Sequence, residues 1–208
     1  MESFRDDDIS TFCEKVASDK PTPGGGSVAA IAAAQAASLA KMVSNLTLGK
    51  EKWQDGWNSA EDAISMSDIV YANALDLADQ DSTAFDEVMA AYRLPKEDDE
   101  QKKTRKQAIE DASEVAARVP LKTAKIALDL LRTLPALART GNSNAITDVG
   151  VAGLLCQTAI KGALWNVEIN LYSVSQQIKE ELSSEIDSIR SEATPLLDDL
   201  EQVVISKL

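Results

Sequence analysis

The 208-residue chain contains no histidine. That excludes serine–histidine triads, cysteine–histidine dyads and histidine metal sites, and it leaves acid–base chemistry to carboxylates, lysine, tyrosine or water. Aromatic residues make up 4% of the chain against a hydrophobic content of 44%. A core must then be assembled from alanine, valine, leucine and isoleucine. Alanine-rich cores need close backbone approach, which packed helices provide. Positive charge is also scarce, with 21 Lys and Arg against 34 Asp and Glu and a formal net charge of −13. Nucleic acid and anionic membranes are poor partners for such a surface, whereas high salt would screen its self-repulsion. The two cysteines, Cys13 and Cys156, are far apart in apolar helical settings. They read as buried thiols of a protein in a reducing cytoplasm. The opening Met1-Glu2-Ser3-Phe4-Arg5-Asp6 does not resemble a signal peptide. The most apolar run, Val28 to Ala40, is interrupted by Gln35 and Ser38 and reads as too short to span a membrane.

The length suits one well-buried core rather than two. Ile9, Phe12, Cys13, Val16 and Ala17 recur at helical spacing, so residues 8 to 19 read as a short amphipathic helix. An alanine-rich helix follows from Ser27 to about Leu48, with Gly49 at its stop. From Glu51 to Arg93 the apolar stripe Ile64, Val70, Leu75, Leu77, Phe85, Val88 and Met89 predicts one long helix. Residues 104 to 138 are helical, with a kink or break expected at Pro120 and another near Pro135. Two further helices are expected from Ala145 to Ser173 and from Gln176 to Lys207, the last containing Pro195. No segment alternates like a strand. The expected fold is all-α: a single-domain, multi-helix antiparallel array with several long helices, spanning residues 1 to 208.

The stretch with the most chemical content is Pro21-Thr22-Pro23-Gly24-Gly25-Gly26-Ser27. Its prolines hold the backbone extended and end any preceding helix. Three glycines can adopt φ > 0 and admit another group close to the main chain. Ser27 is a good N-cap for the alanine-rich helix. Read from the residues alone, this is either a tight turn feeding a close-packed helix or a helix start that takes an anion or polar ligand group. Asp81 shares a helix face with Phe85, which reads as buried, and an acid on an apolar face needs a partner or a function. Asp79 falls on a different face. Asn142, Asn144 and Asp148 precede or open a glycine- and alanine-rich helix, with Asn144 as its cap and Asp148 in its first turn. Asn166 and Asn170 lie one turn apart, as an interhelical hydrogen bond or as ligand contacts. Lys50 and Lys96 read as a helix-end charge and a loop lysine.

Pro21-Thr22-Pro23-Gly24-Gly25-Gly26-Ser27-Val28-Ala29-Ala30 closely resembles the opening motif of the cyclodeaminase/cyclohydrolase family. Three further stretches match in order. They are Met42 to Lys50, then Asp79-Gln80-Asp81-Ser82-Thr83-Ala84-Phe85 with Arg93-Leu94-Pro95-Lys96, then Gly141-Asn142 through Asp148 with Asn166 to Leu171. The resemblance covers nearly the whole chain. It implies a one-carbon enzyme acting on a tetrahydrofolate derivative as substrate, with no metal and no separate cofactor. It implies Asp81 as the catalytic acid–base. Gly24, Gly25, Gly26, Ser27, Asn142, Asp148 and Asn166 would shape the folate site, and Lys50 and Lys96 would hold the glutamate tail. It further implies a homodimer, which the alanine- and glycine-rich surfaces Ala29 to Ala40 and Gly150 to Ala163 also suggest. The expected reaction is hydrolysis of 5,10-methenyltetrahydrofolate, because no formiminotransferase domain is attached. The alternatives are the cyclodeaminase reaction and a non-catalytic folate-binding helical subunit.

Overall fold

A computed structural model describes residues 3–208. Six helices carry the fold: α1 Ile9–Val16, α2 Gly25–Thr47, α3 Trp57–Tyr92, α4 Asp99–Thr140, α5 Ile146–Asn170 and α6 Gln176–Lys207. No strand occurs among the described residues. The array is all-helical, as the low aromatic and high alanine content requires.

Helix α2 forms its centre. Eight of its alanines, from Ala29 to Ala40, are buried together with Val43. Their small side chains let α3 and α5 pack close on either side. By length and composition α2 is long and apolar enough to cross a membrane, contrary to the expectation for Val28 to Ala40. Its burial in the bundle is what accounts for that composition. The α4 face contributes Leu130, Leu131, Leu134 and Leu137, all fully buried.

Helices adjacent in the chain run antiparallel, as expected. Helices α4 and α6 instead run parallel, because both are antiparallel to α5. Their contact is a ladder of ion pairs in which Arg118, Lys125, Arg132 and Arg139 meet Glu181, Glu185, Glu192 and Asp199 in register. Between α5 and α6 the packing is tight: a Cβ on Gly153 would collide with Leu200.

Several boundaries differ from the sequence reading. Helix α4 starts at Asp99, because Asp98 caps it by accepting from the Gln101 amide at 2.8 Å. It then continues unbroken through Pro120 and Pro135, held by neighbours on α2, α3, α5 and α6. The stretch before α3 is a separate 3-10 segment, Glu51–Gly56, in which Trp53 leaves helical geometry. Helix α1 is shorter than expected and buries none of its residues. Cys13, on α1, is exposed rather than buried, while Cys156 is fully buried as expected.

Candidate active site

The chain enters α2 through Pro21–Pro23, with Thr22–Pro23 in the cis form. The helix begins at Gly25, with Gly24 as an N-cap that offers no side-chain acceptor. The first amides of α2 therefore lack intrahelical partners and present the positive end of the helix dipole.

Ser27 was expected to cap this helix. It lies instead inside the first turn and is fully buried. Its hydroxyl sits 3.0 Å from the Ala78 carbonyl, 3.0 Å from Asp81 Oδ2 and 3.1 Å from Ser82 Oγ. Two buried hydroxyls, Ser27 and Ser82, thus join α2 to α3 beside one carboxylate. With a single proton to give, Ser27 can serve the Ala78 carbonyl or Asp81 at any moment. Ser82 was not foreseen as part of the site.

The glycines act by lacking side chains rather than by φ > 0. The positive-φ glycine among the described residues is Gly49, at 71°, where α2 stops. Gly26 packs directly beneath Asp81, and an added Cβ would collide with the carboxylate. At Gly25 an added Cβ would sit 3.6 Å from Asn166 Nδ2, an ordinary contact. Of the three glycines, Gly26 is the one the acid demands, and Gly25 is the one that faces α5.

Asp81 is partly buried at the junction of α2 and α3. Burial pushes its pKa above the ordinary aspartate value, while the Ser27 hydroxyl and the Ser27 amide pull it back. A carboxyl in that state can exchange a proton with a ligand near neutral pH more readily than a solvated aspartate. Asp79 does lie on a different face. It binds the N-terminal segment, accepting from the Ser3 hydroxyl at 2.6 Å and the Phe4 amide at 2.8 Å. Phe85, expected to be buried beside Asp81, is 36% exposed. It follows Asp81 by one turn, and Val88 and Tyr92 continue the same face. The acid therefore shares its face of α3 with partly exposed apolar side chains.

The remaining candidates fall into two groups. Asn166 joins the Asp81 end. Its Nδ2 donates to Gly162 O at 2.8 Å and lies beside Gly25. Asn170 takes the structural role, donating to Ala116 O on α4 at 3.2 Å and to Asn166 O at 2.8 Å. Asn142, Asp148 and Lys50 lie at the opposite end of α2. The Asn142 amide donates to Thr47 Oγ1 at 2.9 Å and its Nδ2 to Leu46 O at 3.1 Å. Neither asparagine caps α5, whose N-cap is Ala145 with no side-chain acceptor; Asn142 caps the 3-10 turn Ser143–Ala145 before it, accepting from the Asn144 amide at 3.0 Å. Helix α2 has 23 residues, so about 35 Å separates its two ends. Within one chain, Asn142, Asp148 and Lys50 do not reach Asp81. Lys96 belongs to neither group and lines a cavity in the loop between α3 and α4.

The profile of formiminotransferase-cyclodeaminase matches residues 8–188. The chain belongs to the formiminotransferase-cyclodeaminase family. Among its relatives is the methenyltetrahydrofolate cyclohydrolase of Methylorubrum extorquens, 35% identical over 96% of this chain and 97% of that protein. The formimidoyltransferase-cyclodeaminase of Rattus norvegicus is 33% identical over 92% of this chain, which spans 36% of the rat protein's length. Within the family's solved structures, formiminotetrahydrofolate cyclodeaminase from Thermotoga maritima superposes with a TM-score of 0.87 at 28% identity, covering 97% of this chain and 98% of that one.

Proposed function

We propose that this chain hydrolyses 5,10-methenyltetrahydrofolate to 10-formyltetrahydrofolate, with Asp81 as the acid–base group. The observation that carries the reading is the carboxylate itself. In a chain without histidine, Asp81 is held by Ser27, seated over Gly26 and raised in pKa by burial. Water attacks the methenyl carbon between N5 and N10, and Asp81 accepts the proton the water loses. The resulting tetrahedral carbon carries a hydroxyl. The same proton, returned to N5, lets the carbon–N5 bond break while the hydroxyl gives up its own proton to solvent, and the carbon remains on N10 as a formyl group. The substrate amidinium is cationic, so an ionised Asp81 also stabilises it before attack.

The cyclohydrolase reading draws on the relative from Methylorubrum extorquens, aligned over nearly the whole of both chains. A second reading, closure of N10 onto a 5-formimino carbon with loss of ammonia, draws on the Thermotoga maritima structure. It needs the same carboxylate and the same tetrahedral carbon. Purified protein incubated with each folate decides between them. The cyclohydrolase bleaches methenyltetrahydrofolate catalytically in the near ultraviolet, and the cyclodeaminase releases ammonia from formiminotetrahydrofolate. Bleaching that stops at one equivalent would mean a folate-binding subunit instead.

The same reading includes a cytoplasmic homodimer. Val151, Leu154, Trp165 and Ile169 leave an apolar stripe along the outer face of α5, with Trp165 66% exposed, which supports a helix-packed partner. Light scattering at micromolar protein tests it, and a monomer would refute it.

A further inference from the structure

Several hydroxyls inside the helices turn back on their own helix. Ser38, Ser44, Thr47, Ser65 and Thr83 each donate to the carbonyl four residues earlier. Ser82 does not. The carbonyl four residues before it is Ala78 O, and that oxygen is reached instead from α2, by the Ser27 hydroxyl at 3.0 Å. Ser82 is fully buried, and its hydrogen-bond neighbour among the described residues is Ser27 Oγ at 3.1 Å. A lone neighbour fixes the direction of the bond. A hydroxyl shut away from water has to spend its proton, and Ser82 has nowhere else to spend it. Ser82 therefore donates, and Ser27 Oγ accepts.

Ser27 then has its own proton to place, with the Ala78 carbonyl and Asp81 Oδ2 both at 3.0 Å. Equal distance leaves charge to decide. While Asp81 is ionised, its bond is charge-assisted and roughly twice as strong as a bond to a neutral carbonyl. Ala78 O loses little, because it keeps its place in the backbone ladder of α3. The result is a chain of one sense, from Ser82 to Ser27 to Asp81. A hydroxyl that accepts a hydrogen bond donates a stronger one. Once Asp81 has taken a proton, both acceptors of Ser27 are neutral and the advantage disappears. The chain thus favours the ionised acid, the form that meets a cationic substrate.

No ion pair does the same work. Helix α2 carries no titratable side chain before Lys41. On α5, Asn166 is neutral, Lys161 is exposed and Glu168 pairs with Arg190 of α6. On α4, Glu114 and Arg118 pair with each other. On α3 itself, Asp76 pairs with Arg5, Asp79 is taken up by Ser3 and Phe4, and Asp86 lines a cavity against α1. Burial raises the Asp81 pKa and Ser27 opposes it, with no contribution from a neighbouring charge.

We propose that Ser82 is a positioning residue for the reaction at Asp81: its hydroxyl donates to Ser27 Oγ and so strengthens the bond that Ser27 gives the carboxylate. Its value for catalysis rests on the folate reading of Asp81, whereas the chain of donors stands without it.

The experiment titrates the Asp81 carboxyl carbon by NMR in protein made with isotope-labelled aspartate, the signal being the one missing from Asp81→Asn. Wild type, Ser82→Ala, Ser27→Ala and the double variant are compared. Ser82→Ala should move the titration to higher pH, by about a tenth to a third of the shift that Ser27→Ala produces, in keeping with the strengthening expected along a hydrogen-bond chain. The double variant should match Ser27→Ala, because a residue that acts through another adds nothing once the other is gone. Ser82→Cys is close in size and a weak donor. It should fall between wild type and Ser82→Ala, and it carries the test if the alanine variant does not fold. A titration unmoved by Ser82→Ala overturns the proposal, as does a double variant shifted beyond Ser27→Ala. A hydroxyl that only packed would change the melting temperature and leave the titration where it was. The acidic limb of kcat/KM for methenyltetrahydrofolate should follow the same order of variants, and a limb that ignores them removes Ser82 from the reaction. If wild type turns over neither folate, the folate reading fails, and the carboxyl titration still decides the chain.

Discussion

The two ends of α2 use the same parts to opposite effect. At the Thr47 end, Thr47 Oγ1 donates to Val43 O and accepts from the Asn142 amide, while Asn142 Nδ2 closes on Leu46 O. Each polar group there finds a neutral partner, and the junction is a clamp. At the Gly25 end, Ser27 and Ser82 make an equally buried junction, but it holds a carboxylate whose pKa burial has raised. The glycine triplet leaves the helix start uncapped. Both ends fasten helices together. Only one retains a charge and free amides after the fastening is done, and that residue of unmet polarity is where chemistry belongs.

The largest expected effect comes from removing the charge. Asp81→Asn should lower kcat by ~10²–10⁴-fold, the usual contribution of general acid–base catalysis. Its stability should respond in the opposite sense. Asp81 has a raised folded pKa, so the native state holds its proton more tightly than the unfolded chain does. Wild type then loses stability as pH rises above the unfolded aspartate value of about 3.9. Asp81→Asn should melt higher than wild type at pH 7, with the gain vanishing below pH 4. A variant with full turnover would remove Asp81 from the mechanism.

Next comes Gly26→Ala, which drives a methyl group into the Asp81 carboxylate. A displacement of about 1 Å at a catalytic group can cost ~10²-fold in rate. Gly25→Ala, with room for its methyl, should cost far less. Equal losses in the two would mean that the glycines serve the turn alone.

Ser27→Ala sharpens the comparison through pH. The Ser27 hydroxyl lowers the Asp81 pKa, so its removal should move the acidic limb of the kcat/KM profile to higher pH. An unmoved limb would show that Ser27 only ties α2 to α3. The smallest effect on activity belongs to the far end. Thr47→Val leaves the Asn142 amide without its acceptor and should cost about 1–3 kcal/mol of stability, with kcat unchanged. Thermal melts and turnover on one preparation check both halves.

Much of this was legible in the sequence. The motif around Asp81 singled out an acid that the structure partly buries, though not beside the buried Phe85 that was expected, and the glycine triplet pointed to the helix start that meets it. Alanine enrichment marked α2 as part of a close-packed helical core. What stayed hidden depends on register between helices. Ser27 reads as a cap because serine before an apolar run usually is one; its true partners lie fifty residues on in α3. Lys50, Asn142 and Asp148 were grouped with the site by motif order, yet 23 helical residues hold them apart from it. Arg105 and Lys106 lie in a run of charged residues, and only the packing of α4 against the α5–α6 link makes that run a cavity wall. Pro120 and Pro135 suggested breaks that surrounding helices suppress.

The ladder between α4 and α6 is a vernier with a flaw. Its rungs on α4 recur every seven residues, and those on α6 nearly do. Sliding α6 seven residues in either direction therefore remakes two of the four rungs. Charge alone identifies the neighbouring helix and its polarity without fixing the stopping point. The stopping point is set by packing, including the notch at Gly153 into which Leu200 fits and Val204 against Gly150. A methyl group at Gly153 would press on the Leu200 side chain and blunt that gauge, while the rungs themselves stay in place.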